Sequence, residues 1–106
     1  MHSIEWAAGL FEGEGCITWR DKEHKRPQLK LGMTDLDVVE KFKEVVMCGS
    51  IVHDHSCRKE HYKPFFVWRI TGKRDVRNLL SKLLPYFGNR RAYKALNILD
   101  DLELAN

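Results

Sequence analysis

No stretch of the 106 residues approaches the roughly 20 consecutive apolar residues of a membrane span. The N-terminus lacks the basic-then-apolar layout of a signal peptide. Only three cysteines occur, an odd number, which argues against a disulfide framework and for a reduced, intracellular setting. Linkers and low-complexity stretches are also missing, so one domain over residues 1–106 is expected. These absences set aside secretion, membrane spanning and a cystine-stapled scaffold. What is present is ordinary globular composition, 43% hydrophobic and 31% charged, which argues against disorder. A chain of this length buries only roughly 65% of the surface it exposes when unfolded, so a further interface would help it.

The net charge of +3 is small but unevenly spread. Residues 17–34 carry Arg20, Lys22, Lys25, Arg26 and Lys30 against Asp21 and Glu23. Residues 58–74 carry Arg58, Lys59, Lys63, Arg69, Lys73 and Arg74 against Glu60. The remainder of the chain is net acidic. If the two basic segments share a face, the protein has a positive surface on an acidic body, as a phosphate-backbone binder does. Two solvated hairpins are the plainer alternative.

Periodicity supplies the elements. Residues 1 to about 13 read as a helix, with Ser3 as N-cap and Glu5 in the first turn. Residues 16–22 and 26–34 alternate: Ile17, Trp19, Leu29, Leu31 and Met33 on one face, polar residues on the other. Thr34-Asp35-Leu36-Asp37 resembles a capping box, followed by a helix ending at Cys48-Gly49. Strands near 50–54 and 64–71 come next, then a helix through Val76, Leu79, Leu80, Leu83 and Leu84 stopped by Pro85. Asn89 is placed to cap a last helix. The expectation is an α+β protein whose helices cover the apolar face of an antiparallel sheet and leave its polar face open.

Gly9 and Gly13 lie four apart on one helix face, where missing side chains let two helix backbones approach closely. Tight packing inside one domain is an alternative, but the chain holds one such pattern, so a second helix of the kind must come from a second copy. In full, Ala7-Ala8-Gly9-Leu10-Phe11-Glu12-Gly13-Glu14-Gly15 closely resembles the motif of the LAGLIDADG homing endonucleases. Ala7 stands at the first Leu, Phe11 at the Ile, and Glu at both acidic positions. The resemblance extends over nearly the whole chain. It takes in the αββαββα order, Trp68-Arg69-Ile70-Thr71-Gly72, Pro85-Tyr86-Phe87 and the basic helix start at Arg90-Arg91.

The resemblance implies a saddle-shaped sheet and a homodimer in which Ala8, Gly9, Glu12 and Gly13 meet their counterparts. Glu12 then satisfies helix-end or dimer contacts. Glu14 falls at the metal-binding carboxylate, and two copies would hold Mg²⁺ above a DNA phosphate backbone. Mn²⁺ would substitute, and Ca²⁺ would support binding without cleavage. Asp35 falls at a position that holds a catalytic water, and Arg90 at a basic position beside the scissile phosphate, with Arg91 and Lys94 as weaker substitutes. A further basic position appears here as Val39.

The polar face would read double-stranded DNA through Thr18, Arg20, Lys22, Arg26, Gln28, Lys30, Thr34 and Arg69. Phe65 and Val67 on that face would touch thymine methyls or pack against a loop. A seven-residue strand spans roughly 23 Å, so a dimer would read a pseudo-palindrome of roughly 14 to 22 base pairs. Cleavage of both strands across the minor groove, leaving short 3′ overhangs, is what the resemblance implies. Cys48, His53, His55, Cys57 and His61 suggest zinc, but their spacing matches no standard finger. Two other classes stay open: a non-catalytic nucleic-acid binder, such as an intron RNA maturase on the same scaffold, and a small regulatory module. The second leaves the basic face unexplained.

Overall fold

The computed structural model describes residues 3–54 and 64–104. The chain runs through helix α1 (Ile4–Glu14), strands β1 (Gly15–Asp21) and β2 (Arg26–Met33), and helix α2 (Leu36–Val46). Strands β3 (Ser50–Asp54) and β4 (Phe65–Ile70) follow, then helix α3 (Lys73–Leu83), a 3-10 turn at Leu84–Tyr86, and helix α4 (Asn89–Leu104). The four strands form one antiparallel sheet in the order β1-β2-β4-β3. The two hairpins therefore join through β2 and β4, and β1 and β3 are the edges.

Alternation along the strands decides which side is covered. Ile17, Leu29 and Ile70 form one row across the sheet, and Leu31, Trp68 and Ile51 the next. With Ala7, Ala8, Phe11, Val39, Phe42, Val76, Leu80, Leu83 and Leu102 they build the core between sheet and helices. Phe11 stacks between Phe42 and Phe87 at centroid distances of 6.3 and 5.9 Å. Phe42 meets Trp68 edge-on at 4.8 Å, and the Trp68 indole N–H donates to the Cys48 carbonyl at 2.8 Å. Aromatic pairs of this kind add roughly 0.5–1.5 kcal/mol each beyond burial.

On the other face, Cys16, Lys30, Arg69 and Ser50 make a row across all four strands, and each is exposed. Gly32, Val67 and Val52 make the next. The α+β class and the αββαββα order are those expected, and α1 starts as expected, with the Ser3 hydroxyl accepting from the Trp6 N–H at 3.2 Å.

Local details differ. β1 ends at Asp21, so Lys22, expected on a strand face, lies in the turn. The register slips, with Trp19 opposite Pro27 but Asp21 opposite Arg26. Arg20 is the extra residue of a bulge, and the slip turns Asp21 to the open face. Thr34 does not cap α2; Asp35 occupies that position, and its side chain makes no capping bond. α2 ends at Val46 rather than Cys48, and the chain leaves it through Met47 at φ 61° and Gly49 at φ 92°. Asn89 is already the first residue of α4, and the Gly88 carbonyl takes the Ala92 N–H at 2.9 Å, so Gly88 is the cap.

Candidate nucleic-acid interface and carboxylate site

α1 has two faces. Ala7, Ala8 and Phe11 turn inward and are fully buried. Gly9 and Gly13 turn outward, and a Cβ added at either would find no atom within 4 Å. An open backbone stripe therefore runs along the helix on the side away from the core. Ala8, expected beside that stripe, is a correction: at 100° per residue it falls with Ala7 on the core side and offers no surface to a partner.

The end of α1 carries two acids and no base in its last turn, against the helix dipole. The compensation comes from α4. Arg91 Nε donates to Glu12 Oε2 at 2.8 Å. Its two terminal nitrogens donate to the Gly15 and Glu12 carbonyls, each at 3.0 Å. Its guanidinium lies 5.5 Å from the centre of the Phe11 ring. The other Glu12 oxygen accepts the Gly88 N–H at 2.8 Å, at the start of α4 where an anion is favoured. Gly88 permits this approach, because a Cβ there would stand 2.7 Å from Glu12 Oε1. Glu12 thus spends its carboxylate inside its own chain. Nothing in the sequence pairs Glu12 with Arg91, which lie 79 positions apart.

Glu14 is the last residue of α1 and is exposed. Gly15 opens β1 opposite Leu31, two residues before the end of β2, so Glu14 and Asp35 lie at the same end of the sheet. The exposed Asp35 carboxylate is not used as a helix cap. Arg90 lines a cleft of about 310 Å³ with Gly15, Cys16, Ile17, Arg91 and Lys94. Among the described residues, the cations of that cleft come from the first turns of α4 and no acid lines it.

The open sheet face holds most of the expected readers. Arg20, Arg26, Lys30, Thr34 and Arg69 are exposed and Thr18 is half-buried. Lys30 and Arg69 stand directly opposite one another, a like-charge pairing that weakens the isolated sheet. Gln28, paired with Thr18, is only 7% exposed, the least accessible of the expected readers. Lys25 folds over Trp19 at 5.6 Å.

Apolar side chains also sit on this face: Val67 beside Val52, and Phe65 lying across Gly32, where a Cβ would fall 2.5 Å from its ring. His53 pairs with Phe66 in the core-facing row, stacking at 4.9 Å, so it is not on the reading face. His55, Cys57 and His61, the rest of the suggested zinc cluster, lie outside the described residues. Among the described residues no three His, Cys, Asp or Glu side chains converge on a common point.

No family model and no curated protein matches the chain. Solved structures do. The homing endonuclease I-CvuI, crystallised with its target in the presence of Ca²⁺, superposes with a TM-score of 0.70 at 21% identity. That match takes in 94% of this chain and 65% of I-CvuI. The LAGLIDADG homing endonuclease I-LtrWI, bound to target DNA, gives 0.72 at 15% identity over 95% of this chain. The fold is that of the LAGLIDADG homing endonucleases. The group I intron-encoded I-CeuI, complexed with DNA, has it too, at 0.68 and 18% identity over 95% of this chain. The chain spans 54% of I-CeuI and 36% of I-LtrWI, so these LAGLIDADG proteins are the longer ones.

Proposed function

We propose that this chain, as a homodimer, is a sequence-specific double-strand DNA endonuclease of the homing type, dependent on Mg²⁺. The observation that carries the reading is Glu14, an exposed carboxylate ending a helix whose Gly9–Gly13 face is open, beside a basic and uncovered sheet face. Two copies meeting along that face would bring two Glu14 side chains to the dimer axis. Carboxylate oxygens suit a hard divalent cation, and each chain supplies one to a shared site. Mg²⁺ held there would polarise the attacking water and stabilise the leaving oxygen.

The other groups take roles from their positions. Asp35, free of its helix end, orients the water. Arg90, from the cleft beside Gly15, faces the developing charge on the phosphate. Thr18, Arg20, Arg26, Gln28, Lys30, Thr34 and Arg69 read the major groove, with Lys22 reaching phosphate from the turn. Gln28 must turn out of its covered position to reach a base.

The experiment compares wild type and Glu14→Gln on target DNA recovered from a randomised duplex library by binding in Ca²⁺. Wild type is expected to cut in Mg²⁺ or Mn²⁺, and to bind without cutting in Ca²⁺. Glu14→Gln is expected to lose cleavage by more than 10²-fold and to keep or tighten binding, since two acids facing phosphates repel them. Undiminished cleavage by Glu14→Gln would remove the assignment. An inert wild type that binds structured intron RNA would move the protein to the maturase class.

A further inference from the structure

We propose that Arg91 is a positioning residue for the Glu14 carboxylate: its guanidinium ties both sides of the α1–β1 junction to α4 and so fixes where the metal-binding oxygen sits. The inference rests on the nuclease reading above and goes beyond it, since it gives Arg91 a task within its own chain, at Glu12 and Gly15.

A surface glutamate at a frayed helix end samples many positions. The last carbonyls of α1 have no intrahelical partners, and two carboxylates next to them work against the dipole. The Gly15 N–H bonds back to the Phe11 carbonyl and closes the final turn. Pairing with Leu31 holds Gly15 in the sheet as well. Arg91 adds the tie to α4, gripping the carbonyl two residues before Glu14 and the carbonyl one residue after it, each at 3.0 Å. The peptide units that carry Glu14 are bracketed.

Only arginine does this here. The planar fork sends Nε to Glu12 Oε2 and its terminal nitrogens to two divergent carbonyls, while the guanidinium carbon sits over the Phe11 ring. Lysine has the charge but no fixed fork. The Arg91 side chain is 17% exposed against 37% for Glu12, so the ion pair is partly withdrawn from water and holds its geometry. The Gly88 N–H takes up the second Glu12 oxygen and keeps the carboxylate from swinging toward the site. Of the two acids two residues apart, one is therefore immobilised and the other left exposed for a cation. Catalytic geometry tolerates little error: a misplacement of about 1 Å can cost on the order of 10²-fold in rate.

The test uses full-length wild type, Arg91→Lys and Gly88→Ala, the last leaving Arg91 in place while crowding Glu12. Folding is checked by circular dichroism and thermal melting. Single-turnover cleavage at saturating DNA, DNA affinity in Ca²⁺ and the Mn²⁺ concentration for half-maximal cleavage are then measured on the folded fraction. Arg91→Lys is expected to cut at least tenfold more slowly and to need more Mn²⁺, with DNA affinity within threefold of wild type. Gly88→Ala is expected to fall in the same direction by less. A folded Arg91→Lys that melts earlier yet cuts at the wild-type rate and Mn²⁺ midpoint would overturn the proposal and leave Arg91 a structural staple. A parallel loss of DNA affinity and rate would also overturn it, making Arg91 a DNA contact. If wild type does not cut at all, the nuclease reading fails first and this inference with it.

Discussion

Single residues show how local chemistry is divided on the open face. Asp21 is turned outward by the bulge and then engaged by His24, through its ring nitrogen at 2.7 Å and its backbone N–H at 3.2 Å. The hydrogen bond from the His24 side chain is the main reason the Asp21 carboxyl titrates below its ordinary range, with the backbone bond second. The ionised form is therefore the one the turn favours. Its contribution is present above the unfolded-state value and fades as pH falls through the lower folded value. In His24→Ala, the Asp21 carboxyl resonance followed by NMR should titrate at higher pH. An unchanged midpoint would mean that the contact does not persist in solution. Glu14 could be singled out from the sequence because it falls inside a nine-residue pattern. Arg91 could be noticed only as a neighbour of Arg90, because its role depends on carbonyls that no side-chain pattern encodes.

Elements were legible where one periodicity governed a whole segment. Residues 26–34 alternate without a break, so both faces of β2 could be assigned, and α3 shows its stripe of Val76, Leu79, Leu80 and Leu83 plainly. The bulge at Arg20 was not legible, since a single inserted residue leaves the alternation of 16–22 looking intact. Strand order was not either, because pairing β2 with β4 is a non-local choice. For α1 the consequence is direct. Gly13→Leu would fill the open stripe along α1; if the proposed dimer forms there, sedimentation at micromolar concentration should find wild type as dimer and Gly13→Leu as monomer. A wild type that is monomeric with and without DNA would defeat this expectation.

For β3 and β4, the apolar group of Val52, Val67 and Phe65 lies on the end of the reading face nearer Glu14. On the nuclease reading, thymine methyls close to the cut are the contacts this group would make. Replacing those thymines with uracil removes one methyl each and should weaken binding by about 0.8 kcal/mol, roughly fourfold in Kd, per contacted base. Equal affinity for both duplexes would remove the contact.

At the scale of the molecule, the open sheet face is basic and the helices carry charges of both signs. Basic residues from β1, β2 and β4 gather on the open face, while much of the acid lies elsewhere in the chain. The opposition of Lys30 and Arg69 has no structural benefit in the free protein and becomes favourable only against an anion. If a dimer neutralises about six phosphates, log K should fall with log salt at a slope near −5. A slope shallower than about −2 would mean that the basic face is not the docking surface. This footprint was visible in the sequence as two basic segments. The register of β2 with β4 brings Arg69 of the second segment onto the face of the first, while Lys73 and Arg74 belong to α3 and Arg58, Lys59 and Lys63 lie outside the described residues.

The tie between Glu12 and Arg91 also sets an order of events. Because it spans 79 positions, the junction at Glu14 cannot be locked until α4 has been made and docked. A chain growing from its N-terminus can form the first hairpin, and even the whole sheet, while the carboxylate end of α1 is still loose. On the nuclease reading, a nascent chain that forms its sheet early would present the basic face to nucleic acid before the carboxylate beside it is held in place.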